Sequence, residues 1–287
     1  MRFASIRLDD STIQVWYDEP KTSSRGRPQC YSELAISTVL MVERIFRLTL
    51  RATQGFIDSI FTLMNIPLRC PSYSCVSRRA KSVTIPFKNP TRGEIARLVI
   101  DSAGFKVFGE GVWKVKKHGQ EKRRVWRKLH LAVDASTHEV ICADLSLNNV
   151  TDAEAFPGLI RQTHRKIRVA CADGAYDTIR CHDELRRKKI KAFITPRTRA
   201  GYWPAVYADR NQAVARPRLT ESNAYWEWHT LYNRRSVTET AIYRVKHLFG
   251  GHLTLRDYDA QVGEAMAMIR ALNKMTRAGM PESVRIA

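Results

Sequence analysis

The chain is poor in acid. Against 48 Lys and Arg it sets only 28 Asp and Glu, a formal charge of +20 over 287 residues. An excess of that size concentrates polyanions around the protein, so nucleic acid is the first partner class to consider. Long apolar runs are also lacking. The most apolar stretch, Leu34 to Leu50, is broken by Glu43, Arg44 and Arg47, which argues against a membrane span. No N-terminal segment has the charged, apolar and cleavage-site order of a secretory signal. There are no internal repeats and no low-complexity tracts. The six cysteines (Cys30, Cys70, Cys75, Cys142, Cys171, Cys181) lack zinc-ligand spacing: Cys70 and Cys75 have no second pair nearby, and Cys181-His182 stands alone. They read as reduced thiols, and a cytoplasmic, nucleoid-associated protein is expected.

What is present is enough for a core. Hydrophobic residues make up 44% and aromatics 9%, which excludes a disordered basic tail. The length allows one large domain or two ordinary ones. Residues 1–31 are polar and rich in turn formers, and a loop or arm carrying Lys21, Arg25 and Arg27 is expected there. From Glu33 to Leu50 the pattern Leu34, Ile36, Val39, Leu40, Val42, Ile45, Phe46, Leu48 and Leu50 fits a buried helix. A second helix is expected from about Thr53 to Met64, and a third from Pro71 through Lys81, ending in Arg and Lys. Helix, short turn and basic helix resemble a helix-turn-helix docking unit, although such patterns are common in any helical bundle. Pro86-Phe-Lys-Asn-Pro90 marks a linker, so the expected domains are 1–88, helical and DNA-binding, and 89–287.

Beyond the linker the texture changes to mixed α/β. Ile95 to Ile100 reads as a strand stopping at Asp101-Ser-Ala-Gly104, with a weaker strand over Phe105 to Val115. Strands follow at Trp126–Val133, Glu139–Leu147, Ile167–Ala172 and Lys191–Thr195. Helices are expected after the capping box Thr151-Asp-Ala-Glu154 and from Thr178 to Lys188. Residues 197–222 read as irregular and basic, and a long helix is expected to begin near Asn223. In this order the strands ending at Asp101 and Asp173 can lie side by side, with Glu239 brought up by the closing helix. Three converging carboxylates repel one another unless a divalent cation sits among them, and hard oxygen ligands favour Mg²⁺ or Mn²⁺. Two such ions can activate a water or a 3′-hydroxyl and stabilise the leaving oxygen of a phosphodiester. Each aspartate alone is also the kind of residue that caps a turn.

The closing helix carries a charged ridge. With Tyr232 at zero and about 100° per residue, Arg235 falls near ~300°, Glu239 near ~340° and Lys246 near ~320°. The residues leave two readings open. The ridge is a surface helix with an Arg235–Glu239 pair, or Arg235 and Lys246 grip phosphates and Tyr232 stacks on a displaced base or bonds a phosphate.

Tyr232, Arg235, Glu239 and Lys246, at these spacings, match the YREK signature of bacterial insertion-sequence DDE transposases. Val-Ile-Asp101-Ser-Ala-Gly and Ala-Asp173-Gly-Ala-Tyr-Asp177 resemble that family's two aspartate motifs, and the resemblance covers nearly the whole chain. It implies an α/β, RNase H-like mixed-sheet catalytic core with an insertion at about 197–222, before the last helix. It also implies metal-dependent cleavage at element ends and strand transfer into target DNA. By carry-over the resemblance implies that Asp101, Asp173 and Glu239 hold Mg²⁺ or Mn²⁺, as a pair of ions, and that Tyr232, Arg235 and Lys246 handle the transposon end. Trp203 is the candidate acceptor of a flipped base. The implied partners are double-stranded DNA (inverted repeats and target) and further copies of the chain, as a homodimer or higher assembly. Similar proteins carry a short extra N-terminal segment, so a truncated start is expected. The alternative is an inactive or truncated relative that only binds DNA.

Overall fold

The computed structural model describes residues 13–18, 30–87, 93–107, 125–197, 199–220 and 235–279. They fall into two compact units. The first comprises the described parts of Met1–Phe87, Val107–Arg124 and Val245–Ala287; the second comprises those of Lys88–Lys106 and Val125–Arg244.

The first unit is helical. Helix α1 (Glu33–Phe46) starts where the Ser32 side chain accepts the Ala35 N–H, and it ends at Arg47 in the left-handed region. Its Ala35, Ile36, Val39 and Leu40 are fully enclosed. Helix α2 (Leu50–Leu63) is capped by Thr49, and α3 (Tyr73–Arg79) by Ser72. The connection between α2 and α3 takes up residues 64–72, longer than the three- or four-residue turn of a helix-turn-helix. That unit is therefore not formed at its usual spacing. Of the polar N-terminal stretch only residues 13–18, 30 and 31 are described, and Lys21, Arg25 and Arg27 of the expected loop or arm lie outside the described residues. Trp16 is buried edge-on to Phe61 at 5.3 Å, and its indole N–H donates to the Arg69 carbonyl at 2.9 Å. One large aromatic outweighs its polar neighbours, because burying it removes more apolar area than any flanking residue exposes. Helix α8 (Tyr258–Ala278) is buried along Ala265, Ala267, Met268, Ile269 and Leu272. A buried ion pair joins it to α1, with Arg44 Nη1 2.9 Å from Glu264 Oε1.

The second unit is built on a mixed sheet. Strands β1 (Ile95–Val107), β2 (Trp126–Asp134), β3 (Val140–Leu147), β4 (Ile167–Ala172) and β5 (Lys191–Ile194) lie in the order β3-β2-β1-β4-β5. The β1–β2 and β2–β3 pairs are antiparallel, whereas β1–β4 and β4–β5 are parallel. Helices α4 (Asp152–Arg161) and α5 (Ile179–Arg187) provide the crossovers of the parallel part. The Thr151/Glu154 capping box forms in both directions, as read from the sequence. Leu98, Ile100, Phe156, Leu159, Ile160, Leu185 and Ile194 share the larger core cluster, while Val99 and Cys171 belong to a separate one. The alternation of a strand explains the split: adjacent residues face opposite sides of the sheet.

Two expectations are corrected here. Strand β1 does not stop at Asp101; it continues unbroken to Val107, pairing Asp101 with Leu131 and Gly104 with Lys128. Gly104 looked like a turn residue, but it is a packing glycine. A Cβ there would lie 3.2 Å from the Trp126 ring. The described part of 197–222 is not irregular either. A short turn at Ala205–Tyr207 leads into helix α6 (Ala208–Thr220), which buries Ala213 and Val214. Basic residues hid a helix whose apolar side is short. Helix α7 (Ser236–Phe249) then carries the end of the sequence motif. The start expected near Asn223 lies outside the described residues. None of the described helices is long and apolar enough to cross a membrane, and all six cysteines stand outside any disulfide.

Candidate active site

The parallel pairing of β1 with β4 positions the first two acids. Val99 stands opposite Cys171, and Asp101 and Asp173 each follow two residues after that pair. Both continue the face that carries Val99 and Cys171. Asp101 lies within β1, and Asp173 follows directly on β4. Asp173 is set by its own turn: its Oδ1 accepts the Ala175 N–H at 2.9 Å and caps the short turn Gly174–Tyr176. Asp101 Oδ1 accepts the N–H of Ser102 at 2.8 Å.

Glu239 occupies the first turn of α7, and Arg235 stands just before the helix. Arg235 Nη2 donates to Glu239 Oε1 at 3.0 Å, with both side chains partly exposed. The electrostatics of Asp101 register all of these groups. Burial pushes its carboxyl above the usual range; the Ser102 N–H and the Arg235 cation oppose this, and the negative charges of Asp173 and Glu239 add to it. The acids thus lie near enough to act on one another. They do not close into a cage: among the described residues no group of three His, Cys, Asp or Glu is gathered tightly enough to hold a metal ion. In kind three carboxylates fit a hard divalent cation, which would relieve the part of the Asp101 shift that Asp173 and Glu239 add to burial.

A polar group stands behind β1. Ser102 donates to Asp152 Oδ1 at 2.9 Å, Lys128 Nζ reaches the same oxygen at 3.4 Å, and His130 Nε2 and Ser146 Oγ are 2.8 Å apart. Tyr176 packs against Phe156 at 5.6 Å, and its buried hydroxyl meets no hydrogen-bond partner among the described residues. Burial raises its pKa, and the charges of Asp152, Asp101 and Asp173 raise it further.

The remaining sequence candidates are placed differently. Trp203 has the Arg210 guanidinium over its ring at 4.0 Å, with His182 and Tyr207 each edge-on at 5.3 Å. Lys246 lies in the last turn of α7, past the boundary at Val245 where the first unit resumes. Tyr232 lies outside the described residues. Asp177 was passed over by sequence reasoning except as a letter of the second aspartate motif. It is buried and bonded to Arg210, His182 and the Arg197 N–H. Burial alone would raise its pKa, but the hydrogen bonds from His182, Arg210 and Arg197 prevail and hold it at about 2. The five-residue spacing from Asp177 to His182 was visible. Arg210 was one of several arginines in a stretch without a readable pattern.

Five strands in this mixed order, with Asp101 within β1 and Asp173 just past the end of the parallel β4, are consistent with an RNase H-like core. Sequence comparison is more specific. Residues 92–274 match the family described as Transposase DDE domain, and residues 4–110 match a second family of the same description. The chain belongs to the transposase DDE domain family, whose members act in DNA transposition. Among solved structures it is similar to one described as a piggyBac transposase synaptic complex with hairpin DNA, determined by cryo-electron microscopy. The similarity covers 93% of this chain and 69% of that one, at 13% identity and a TM-score of 0.47.

Proposed function

We propose that this protein is the transposase of a bacterial insertion sequence, cutting DNA at the element ends and transferring the strands into target DNA. The observation that supports this reading is the parallel β1–β4 pairing, in which Asp101 and Asp173 each follow two residues after the Val99–Cys171 pair, together with the charge effects of Asp173 and Glu239 on Asp101. In this reading the three carboxylates hold one or two Mg²⁺ or Mn²⁺ ions. Bound there, the ions supply Lewis-acid activation of the attacking hydroxyl and stabilisation of the leaving oxygen. The chain's own residues orient and neutralise. Arg235 and Lys246 take phosphates of the element end, Tyr232 contacts the same strand, and Trp203 meets an extruded base. The helical region 1–88 docks DNA, 89–287 forms the catalytic domain, and synapsis of two element ends calls for a dimer or higher assembly.

The test is Mg²⁺-dependent cleavage and strand transfer with DNA from the gene's own flanks. Asp101→Asn, Asp173→Asn and Glu239→Gln should each lower the rate by about 100-fold or more, while binding of the same DNA persists. Full activity in Glu239→Gln would remove Glu239 from the site. One observation favours the other reading, a relative that binds DNA without cutting it: the ion pair that occupies Glu239 at 3.0 Å. That reading predicts binding with no metal-dependent cleavage by the parent protein.

A further inference from the structure

The turn that carries Asp173 is clamped from a distant part of the chain. Asp177 closes the turn, its N–H donating to the Gly174 carbonyl at 3.2 Å. Its carboxylate is 1% exposed and receives four bonds. Oδ2 accepts from Arg210 Nη2 at 3.0 Å and from the Arg197 N–H at 3.2 Å. Oδ1 accepts from Arg210 Nε at 3.2 Å and lies 3.3 Å from His182 Nε2. Arg210 is only 2% exposed; it also donates to the Gly201 carbonyl and lies over Trp203. Arg197 adds a second grip, donating from Nε to the Gly174 carbonyl at 3.0 Å and from Nη2 to the Ala175 carbonyl at 3.2 Å. Gly174 fits because a Cβ there would come 3.3 Å from the Thr195 carbonyl.

Most of these bonds converge on one object, the turn from Asp173 to Asp177. Apart from His182 on α5, the donors are Arg197 and Arg210, from the segment between β5 and α7. A buried bidentate Arg–carboxylate pair has a fixed geometry, unlike a surface lysine contact. It is an expensive way to tie down an ordinary surface turn, since both charges are desolvated. Groups around metal ligands are commonly held by such outer bonds, and losing one typically weakens metal binding about 10–100-fold.

We infer that Asp177 and Arg210 are positioning residues for Asp173, so that the segment between β5 and α7 sets the direction of that carboxylate; this rests on the reading of Asp173 as a metal-holding acid. Trp203 then has a structural part to play as the lid of the Arg210 guanidinium.

The test is Mn²⁺ binding to the full chain, followed by the loss of the free-ion electron paramagnetic resonance signal. Asp177→Asn and Arg210→Gln should each weaken Mn²⁺ binding about tenfold or more, and Arg210→Lys should recover only part of it, because the fork is lost. Circular dichroism at the assay temperature shows whether each variant is folded. Arg197→Met guards against a folding failure: its side chain is exposed, yet removing it frees the Gly174 and Ala175 carbonyls, and a several-fold loss of Mn²⁺ affinity is expected. If Asp173→Asn leaves Mn²⁺ binding unchanged, Asp173 is not a metal ligand and the functional reading fails with the inference. If Asp173→Asn abolishes binding while folded Asp177→Asn or Arg197→Met binds as the parent does, the inference alone is overturned. Full recovery in Arg210→Lys would likewise refute it, since charge without the fork would then suffice.

Discussion

Glu43 should make the protein less stable as the pH rises. It lies on α1 beside Arg44, with 4% exposure, and one of its carboxylate oxygens has no hydrogen-bond partner among the described residues. Burial pushes its pKa from the usual 4.5 to about 8; Arg44 lowers it and Glu264 raises it again. The folded chain therefore keeps the proton over a window in which the unfolded chain has released it. Stability from this group is fully present below pH 4.5 and is lost as the pH climbs through 8. At about 1.4 kcal/mol per pH unit, the whole window is worth roughly 5 kcal/mol.

Glu43→Gln keeps the shape and removes the titration. Parent and variant should melt together near pH 4 and diverge above it, the variant being the more stable at pH 9. Even half of the window, about 2.5 kcal/mol, would separate the midpoints by roughly 5–10 °C. Thermal unfolding followed by circular dichroism at pH 4, 6, 7.5 and 9 measures this directly. A gap that stays constant with pH would refute the reasoning, because it would mean that Glu43 carries its charge in the folded state. A gap of the opposite sign would mean that the Arg44 pairing outweighs desolvation.

Gly263→Ala offers a second check on the helical unit. Alanine favours a helix by about 1 kcal/mol, but its Cβ would lie 2.7 Å from the Ala80 carbonyl oxygen, an overpacking that costs about 1–3 kcal/mol. A lower urea midpoint is expected, and a higher one would show that the two backbones can part freely. Lys246→Ala should reduce the salt dependence of element-end binding by about one phosphate contact; an unchanged slope across salt concentrations removes Lys246 from the interface. Arg235→Gln should bind Mn²⁺ several-fold tighter than the parent in the absence of DNA, because a cation beside the acids is gone. Weaker binding in that variant would mean that Arg235 organises the acids instead of competing for them.

The parts of the fold legible in the sequence were those with strong local signals. Trp126-Arg-Lys-Leu-His-Leu-Ala-Val133 alternates, Thr151 and Glu154 form a reciprocal cap, and Ile167–Ala172 is a short buried run; all became the elements they suggested. The errors came where one residue type serves two purposes. Gly104 reads as a turn from sequence, whereas in β1 it makes room for an indole. Helix α6 was hidden because its buried Arg210 counts as polar in any periodicity, yet it is enclosed by its bond to Asp177. Trp16 lay in a polar stretch and is buried all the same, while Val15 and Tyr17 on either side stay exposed. The candidate acids were legible because motif spacing survives errors in element boundaries. Their surroundings were not, since the contacts of Asp177 with Arg197 and Arg210 join positions 20 and 33 residues away.

Glu239 poses the choice between a surface ion pair and a metal ligand, and the energetics favour its serving as both in turn. The pair with Arg235 spans one helical turn, with the side chains 30% and 54% exposed. Such pairs contribute about 0.3–0.5 kcal/mol. Breaking it therefore costs less than a single good hydrogen bond to a phosphate returns to Arg235. Once Arg235 turns to DNA, Glu239 and Asp101 lose the cation that offsets their charges, while Asp173 still adds to the repulsion. A divalent cation is the partner that best relieves three such carboxylates. In this reading the ion pair is a resting arrangement that gives way when a phosphate arrives. Metal and DNA should accordingly bind with positive coupling, each raising the affinity of the other by the same factor.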